Sequence, residues 1–217
     1  MKFKTMLSFF FIIFSLPLFA QSGITKEIKE EKRGDLKIIR TQYINSETNQ
    51  IDFQAEEIYD KNGLHLETRM LDKEGNLKES KYEGNAIMKM EYDLNGNMIK
   101  KKFLDSENNL VNGIEGYAII ENVYNDQGQL TTINTYDQNE VLVNHVGYGY
   151  STIKIDYFEN GQKVRRTFFN VEGNIVEIGF CYCAFIEFIY DQNSKLISTK
   201  YFDKKENLLR ETKSKNK

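Results

Sequence analysis

The chain has 217 residues, 40% of them hydrophobic and 28% charged, and a formal net charge of −3. That composition suits an ordered body facing water. The mildly acidic balance lacks the basic patch that phosphate binding needs, which argues against nucleic acid as a partner, and the interleaving of acidic with basic residues argues against a strongly charged membrane-binding face.

Residues 1–20 differ from the rest. Lys2 and Lys4 give a basic start, Leu7 to Phe19 is an apolar run, and Ala20 is a small residue at a plausible cut site. This is the anatomy of a signal peptide, expected to be helical. The apolar run falls short of the roughly 20 residues that a spanning helix needs, so an uncleaved N-terminal anchor is the lesser alternative. The expectation is a secreted or periplasmic (cell-envelope) protein starting near Gln21, with no stable membrane span after cleavage.

Gln21 to Arg33 is polar and charge-rich and reads as a flexible lead-in or a short helical turn. Gly34 to Ile51 reads as a degenerate first repeat, since YINSETNQI from Tyr43 echoes FLDSENNLV from Phe103. Residues 21–58 thus precede the regular array, which runs over 59–212 and leaves a polar tail at 213–217.

The array is marked by one phrase spelled five times: YDKNG from Tyr59, YDLNG from Tyr92, YNDQG from Tyr124, YFENG from Tyr157 and YDQNS from Tyr190. The starts step by 33, 32, 33 and 33 residues, and a fixed period in this range marks a repeat array. A second phrase follows thirteen residues later, from Asp72, Asp105, Asp137, Asn170 and Asp203. In both, Asp or Asn can bond the backbone two residues on, and Gly or Asn three residues further tolerates positive φ. Asp60, Gly63, Asp93, Gly96, Gly128 and Gly161 are therefore structural turn residues. Stretches rich in β-branched and aromatic residues between the turns, such as LTTINTY from Leu130, read as strands.

A third echo closes each repeat: GNA from Gly84, GYA from Gly116, GYS from Gly149 and YCA from Tyr182. Its small third residue marks a place where neighbouring units pack closely. Pro17 is the only proline, so no Pro-rich linker divides the body. The expected fold is all-β: an antiparallel meander of tandem repeats of about 33 residues, with about three strands per repeat, in an open twisted or spiralling sheet. The recurring Tyr and the apolar pairs before the second turns are expected to stack between units.

These phrases resemble those of YD-repeat (Rhs-type) arrays and, more loosely, MORN-like bacterial β-repeat proteins, over about Tyr59 to Leu209. The resemblance implies a β-sheet scaffold without catalytic residues. Rhs-type arrays form a shell around a toxic cargo domain, whereas this chain is expected to be too short to enclose one and to carry none after the repeats.

The chemistry-bearing residues are few. Cys181 and Cys183 form a C-x-C. Placed in a strand, where their side chains share a face, they bridge poorly, and two ligands are too few for zinc. A filler role is favoured, with Cys183 in the slot of Tyr117 and Tyr150 and two free thiols expected, although an oxidising compartment raises the bridged alternative. His65 and His145 are expected to be exposed, with no nucleophile motif nearby. The turn carboxylates come singly rather than in the clusters that calcium needs. No cofactor or metal is expected.

The stretches HVGYGYSTI from His145 and GFCYCAFIEF from Gly179 are unusually aromatic. Core packing is the favoured role for them; if Tyr148, Tyr150, Tyr182 and Phe185 face solvent, they form a partner surface for a protein or an envelope glycan. The leading expectation is a non-enzymatic interaction or structural scaffold. The alternatives are a glycan-binding module and an enzyme whose site assembles in space, and open sheet edges invite self-association.

Overall fold

The computed structural model describes residues 24–81, 83–158 and 163–214. Residues 1–20, the expected signal peptide, and Gly161 lie outside them. Thirteen strands form one open antiparallel sheet in strict chain order, each paired with its sequence neighbours. They are β1 (Ile24–Arg33), β2 (Leu36–Asn45), β3 (Gln50–Tyr59), β4 (His65–Leu71), β5 (Ile87–Tyr92), β6 (Met98–Leu104), β7 (Ile119–Tyr124), β8 (Leu130–Tyr136), β9 (Thr152–Phe158), β10 (Lys163–Phe169), β11 (Phe185–Tyr190), β12 (Leu196–Phe202) and β13 (Leu208–Lys213). The expected all-β meander is what the chain forms. Among the described residues no helix is long and apolar enough to cross a membrane.

The turns follow from their side chains. The Asp60 carboxylate accepts from the amides of Asn62 and Leu64, both at 2.8 Å, while the Gly63 amide donates to the Asp60 carbonyl at 3.1 Å. Gly63 has φ +85°. The pattern recurs around Asp93 and Gly96, and around Asp105 and Asn108. Asn125, ahead of Gly128, does the same with its amide oxygen, accepting from Gln127 and Gln129. Donation to a charged acceptor lowers the pKa of Asp60, Asp72, Asp93, Asp105, Asp137 and Asp203 below the usual carboxylate range.

Each repeat holds two long strands. The expected third shrinks to a single bridge where the chain doubles back after the second turn: Leu71 to Leu77, Leu104 to Leu110, Tyr136 to Leu142 and Phe169 to Ile175. The chain then loops out and re-enters as the next strand at the small residue of the closing phrase. Ala86, Ala118, Ser151 and Ala184 are all completely buried. Each donates to the strand after it and accepts from the strand before it, as Ala118 does to Tyr136 at 2.8 Å and from Phe103 at 2.8 Å. A fully buried position in a close-packed interior leaves little room for a larger side chain.

The recurring Tyr braces one repeat against the previous one through its hydroxyl. Tyr92 donates to the His65 carbonyl at 2.8 Å, Tyr124 to Met98 at 3.1 Å and Tyr157 to Leu130 at 3.0 Å. The larger core cluster lies in the C-terminal half, around Ile153, Ile155, Phe168, Ile178, Ile186 and Phe188. A smaller one joins Ala86, Ile87 and Leu104.

Residues 24–33, read from sequence as a lead-in or helical turn, form the edge strand β1 instead. Its pairing with β2 runs unbroken from Ile24–Asn45 to Arg33–Leu36. Neither face of β1 is covered, so the sequence carries no apolar alternation to mark it as a strand. At the other end, β13 reaches Lys213, the first residue of the expected tail.

Candidate functional site

The closing loops of the repeats stack into a column beside the sheet. Each is pinned by the same two backbone bonds. Ser80, Gly113, His145 and Ile178 each donate to the carbonyl of Asn85, Tyr117, Tyr150 and Cys183 respectively, at 2.7–3.0 Å. Gly84, Gly149 and Tyr182 donate back four residues and Gly116 back three. The residue that makes the return has φ +79° at Gly84, +87° at Gly116, +76° at Gly149 and +52° at Tyr182. Consecutive loops are tied together, since Ile114 donates to the Glu83 carbonyl at 3.1 Å and Val146 to the Glu115 carbonyl at 2.8 Å.

The fourth loop departs from the other three in one respect. A tyrosine occupies the left-handed position, and Cys181 and Cys183 on either side of it are joined in a disulfide, with Cα atoms 5.1 Å apart. The filler expectation, with two free thiols, is therefore corrected. A strand holds alternate side chains parallel and keeps their sulfurs apart, but the left-handed residue between these two curls the backbone and turns their Cβ atoms toward each other. Cys183 does occupy the slot of Tyr117 and Tyr150, and it is fully buried.

Beneath the loops lies a cluster of polar and aromatic side chains. His145, expected to be exposed, is 6% exposed. Its Nδ1 donates to the Val146 carbonyl, and its Nε2 lies 3.6 Å from a Glu115 carboxylate oxygen. The rings of Tyr117, Tyr148 and Tyr150 surround it, with centroids 5.5, 4.6 and 5.4 Å away. The Tyr117 hydroxyl donates to the same Glu115 carboxylate oxygen. The His145 contact lowers the pKa of Glu115; partial burial opposes it, and the Tyr117 hydroxyl reinforces it. Burial raises the pKa of Glu83 and lowers that of Lys101, each against the opposite charge of the other. Burial also pushes the Tyr150 hydroxyl up to about 12. With Nδ1 bonded within its own loop and the ring covered by three tyrosines, the imidazole packs as part of the loop support.

The four residues of the expected partner surface do not form one exposed face. Tyr148 and Tyr150 are half-buried against His145, and Tyr150 also packs on Phe168. Phe185 is 5% exposed, in β11 beneath the Arg165 guanidinium. β11 lies between β10 and β12, and every residue from Phe185 to Phe188 is buried. Tyr182 alone stands out, at 76% exposure. Its neighbours at the loop tips were not singled out from the sequence: Ile114, Val146 and Phe180 are each about 60% exposed. The signal for them was their place in the closing loops, where Ile114 and Val146 each follow the loop-opening donor (Gly113, His145) and Phe180 lies two residues after Ile178.

Among the described residues no group of three His, Cys, Asp or Glu side chains is placed to hold a metal ion. The turn carboxylates are each spent on their own turn. An open depression of about 390 Å³ lies elsewhere, between β5, β6 and β7, and includes Glu91, Lys100, Glu121 and Tyr124 in its lining. No protein-family model matches the chain, and no curated protein is detectably similar to it.

Proposed function

We propose that the protein is a non-enzymatic scaffold, secreted or held in the cell envelope, and that it binds a partner protein through the ridge of its stacked loop tips. The observation that carries this is the exposure of Ile114, Val146, Phe180 and Tyr182, which lie in three consecutive closing loops and are all more than half exposed. Exposed apolar side chains scattered singly need no explanation, but several carried on successive loops of one repeat array fit an interaction surface. The burial of His145 and the bond of its Nδ1 within its own loop favour a structural part for the Glu115–His145 pair over a catalytic one. The disulfide fits an oxidising compartment, as the N-terminal leader does. A scaffold is also what the resemblance to YD-repeat arrays implies.

A glycan-binding alternative draws on one observation, the cluster of Tyr182 and Phe180 at the last loop, with Tyr148 edge-on to Phe180 at 6.5 Å. One experiment separates the two. The purified protein is used to capture material from a cell-envelope extract, with and without prior protease treatment, beside the double variant Val146→Ser, Phe180→Ser. The scaffold reading predicts a discrete captured protein that both the protease and the double substitution abolish. Retention of protease-resistant material would establish the glycan reading in its place, and capture unaffected by the substitutions would remove the ridge as the surface.

A further inference from the structure

A sheet that does not close has two free edges, and here they differ. The N-terminal edge is β1, ten residues (ITKEIKEEKR) that are exposed throughout except at Ile24. The C-terminal edge is β13, six residues (LLRETK), all exposed. Each presents a row of backbone groups able to pair with another strand.

Two copies of one strand can pair antiparallel about a two-fold axis perpendicular to the sheet. That operation keeps each side chain on its own face, so facing residues share a parity and one residue opposes itself at the axis. On β1 the axis at Ile28 places Lys26 opposite Glu30 of the second copy, Glu27 opposite Lys29, Thr25 opposite Glu31 and Ile24 opposite Lys32. By symmetry every charge pair occurs twice, and no like charges meet. Ile28, 67% exposed and the only strongly apolar side chain in the middle of the strand, meets its own copy at the centre. Shifting the axis by one residue destroys this. At Glu27 or Lys29 a charge faces itself, and the second shift also sets Lys26 against Lys32 and Glu27 against Glu31. On β13 the central axes oppose Arg210 to Arg210 or Glu211 to Glu211.

We propose that β1 is a homodimerisation edge, and that two copies join antiparallel about Ile28 into one continuous sheet. Opposite charges at facing positions of an antiparallel pair stabilise it and like charges destabilise it, so the charge pattern selects both the partner and the register. Local contacts are compatible with this. Lys37 holds Glu30 at 3.0 Å from the β2 side, Lys26 lies over the Tyr43 ring at 5.0 Å, and the opposite side of each group stays open to the second copy. The proposal does not depend on what the loop ridge binds.

The test is the mass of the purified protein in solution by sedimentation at roughly 100 µM and low salt, where a pairing of one strand edge is expected to be populated. The wild type is expected to be a dimer that weakens with added salt, and a monomer would overturn the proposal. Two charge variants then test the register: an acidic edge (Lys26→Glu with Lys29→Glu) and a basic edge (Glu27→Lys with Glu30→Lys). Each alone is expected to bind itself at least about tenfold more weakly. Mixed in equal amounts they are expected to form a heterodimer, which also shows that both have folded. Unchanged self-association of either variant, or no heterodimer on mixing, would overturn the proposal. In a third arm Ile28→Cys is expected to form an intermolecular disulfide across the axis on oxidation, and Thr25→Cys is not; the reverse would rule out this register.

Discussion

The loop from His145 to Ser151 and the loop from Ile178 to Ala184 trace the same backbone path with different chemistry. Both are closed by the same pair of hydrogen bonds and end on a fully buried small residue. The first makes its left-handed return with Gly149, which has no Cβ to clash. The second makes it with Tyr182, for which that conformation costs on the order of 1–2 kcal/mol, and fastens the residues on either side with a disulfide. What recurs along this chain is therefore a backbone requirement. The residue that meets it is free to change so long as something else enforces the turn.

The substitution with the largest expected effect strikes what the two loops share. Ala184→Leu forces a larger side chain into a fully buried position, and should destabilise the protein by about 1–3 kcal/mol or more in urea unfolding. Ala118→Leu should cost a similar amount. If instead these positions tolerate Leu, the repeats are not fastened at their small residues.

The next comparison is between glycines. A Cβ at Gly149 would meet nothing within 4 Å, so Gly149→Ala should show the left-handed cost alone, about 1 kcal/mol. A Cβ at Gly116 would come within 2.5 Å of Val146 Cγ2. Gly116→Ala should therefore cost more, and adding Val146→Ala should bring it back toward the Gly149→Ala value. Equal costs without that second change would mean that the loops do not lie as closely as described. The brace between repeats is weaker: Tyr92→Phe removes one hydrogen bond to the His65 carbonyl and should cost about 0.5–1.5 kcal/mol.

The smallest effect concerns the turns. The turn aspartates have lower pKa values in the folded chain than in the unfolded one, so the unfolded state binds more protons in acid. Their contribution is complete above the ordinary Asp value of about 3.9 and is lost as pH falls through the lower folded values. Asn125 and Asn170 make equivalent turns without titrating. Asp93→Asn should accordingly leave the melting temperature nearly unchanged at pH 7, and flatten its decline below about pH 4. An unchanged decline would show that this carboxylate takes no part in acid unfolding.

The turns were legible because each announces itself twice, by an Asp or Asn and by a residue that tolerates positive φ. From them follow the repeat, the antiparallel meander and its order. β1 was not legible, because a strand with both faces in water needs no alternation, and ITKEIKEEKR shows none. The burial of His145 was hidden for another reason: the rings that cover it come from its own loop and from the preceding repeat, and no local pattern reports that contact. The disulfide was misjudged because the pair was placed in a strand. The corrective was already present in the closing phrase, where Tyr182 aligns with Gly84, Gly116 and Gly149, so a turn with a left-handed residue was the better context for the cysteines. The loop-tip ridge likewise emerges only once the loops are stacked.

The most direct test of the claim that the disulfide does the work of a glycine is a double cycle: Tyr182→Gly, measured by urea unfolding in the oxidised and in the reduced protein. A bridge between residues two apart confines the unfolded chain as well, so the cost of the left-handed tyrosine falls on both states and largely cancels. In the oxidised protein Tyr182→Gly should change stability by less than about 0.5 kcal/mol, whereas in the reduced protein it should stabilise by about 1 kcal/mol. The same gain in both forms, or the finding of two free thiols before any reductant is added, would contradict the account.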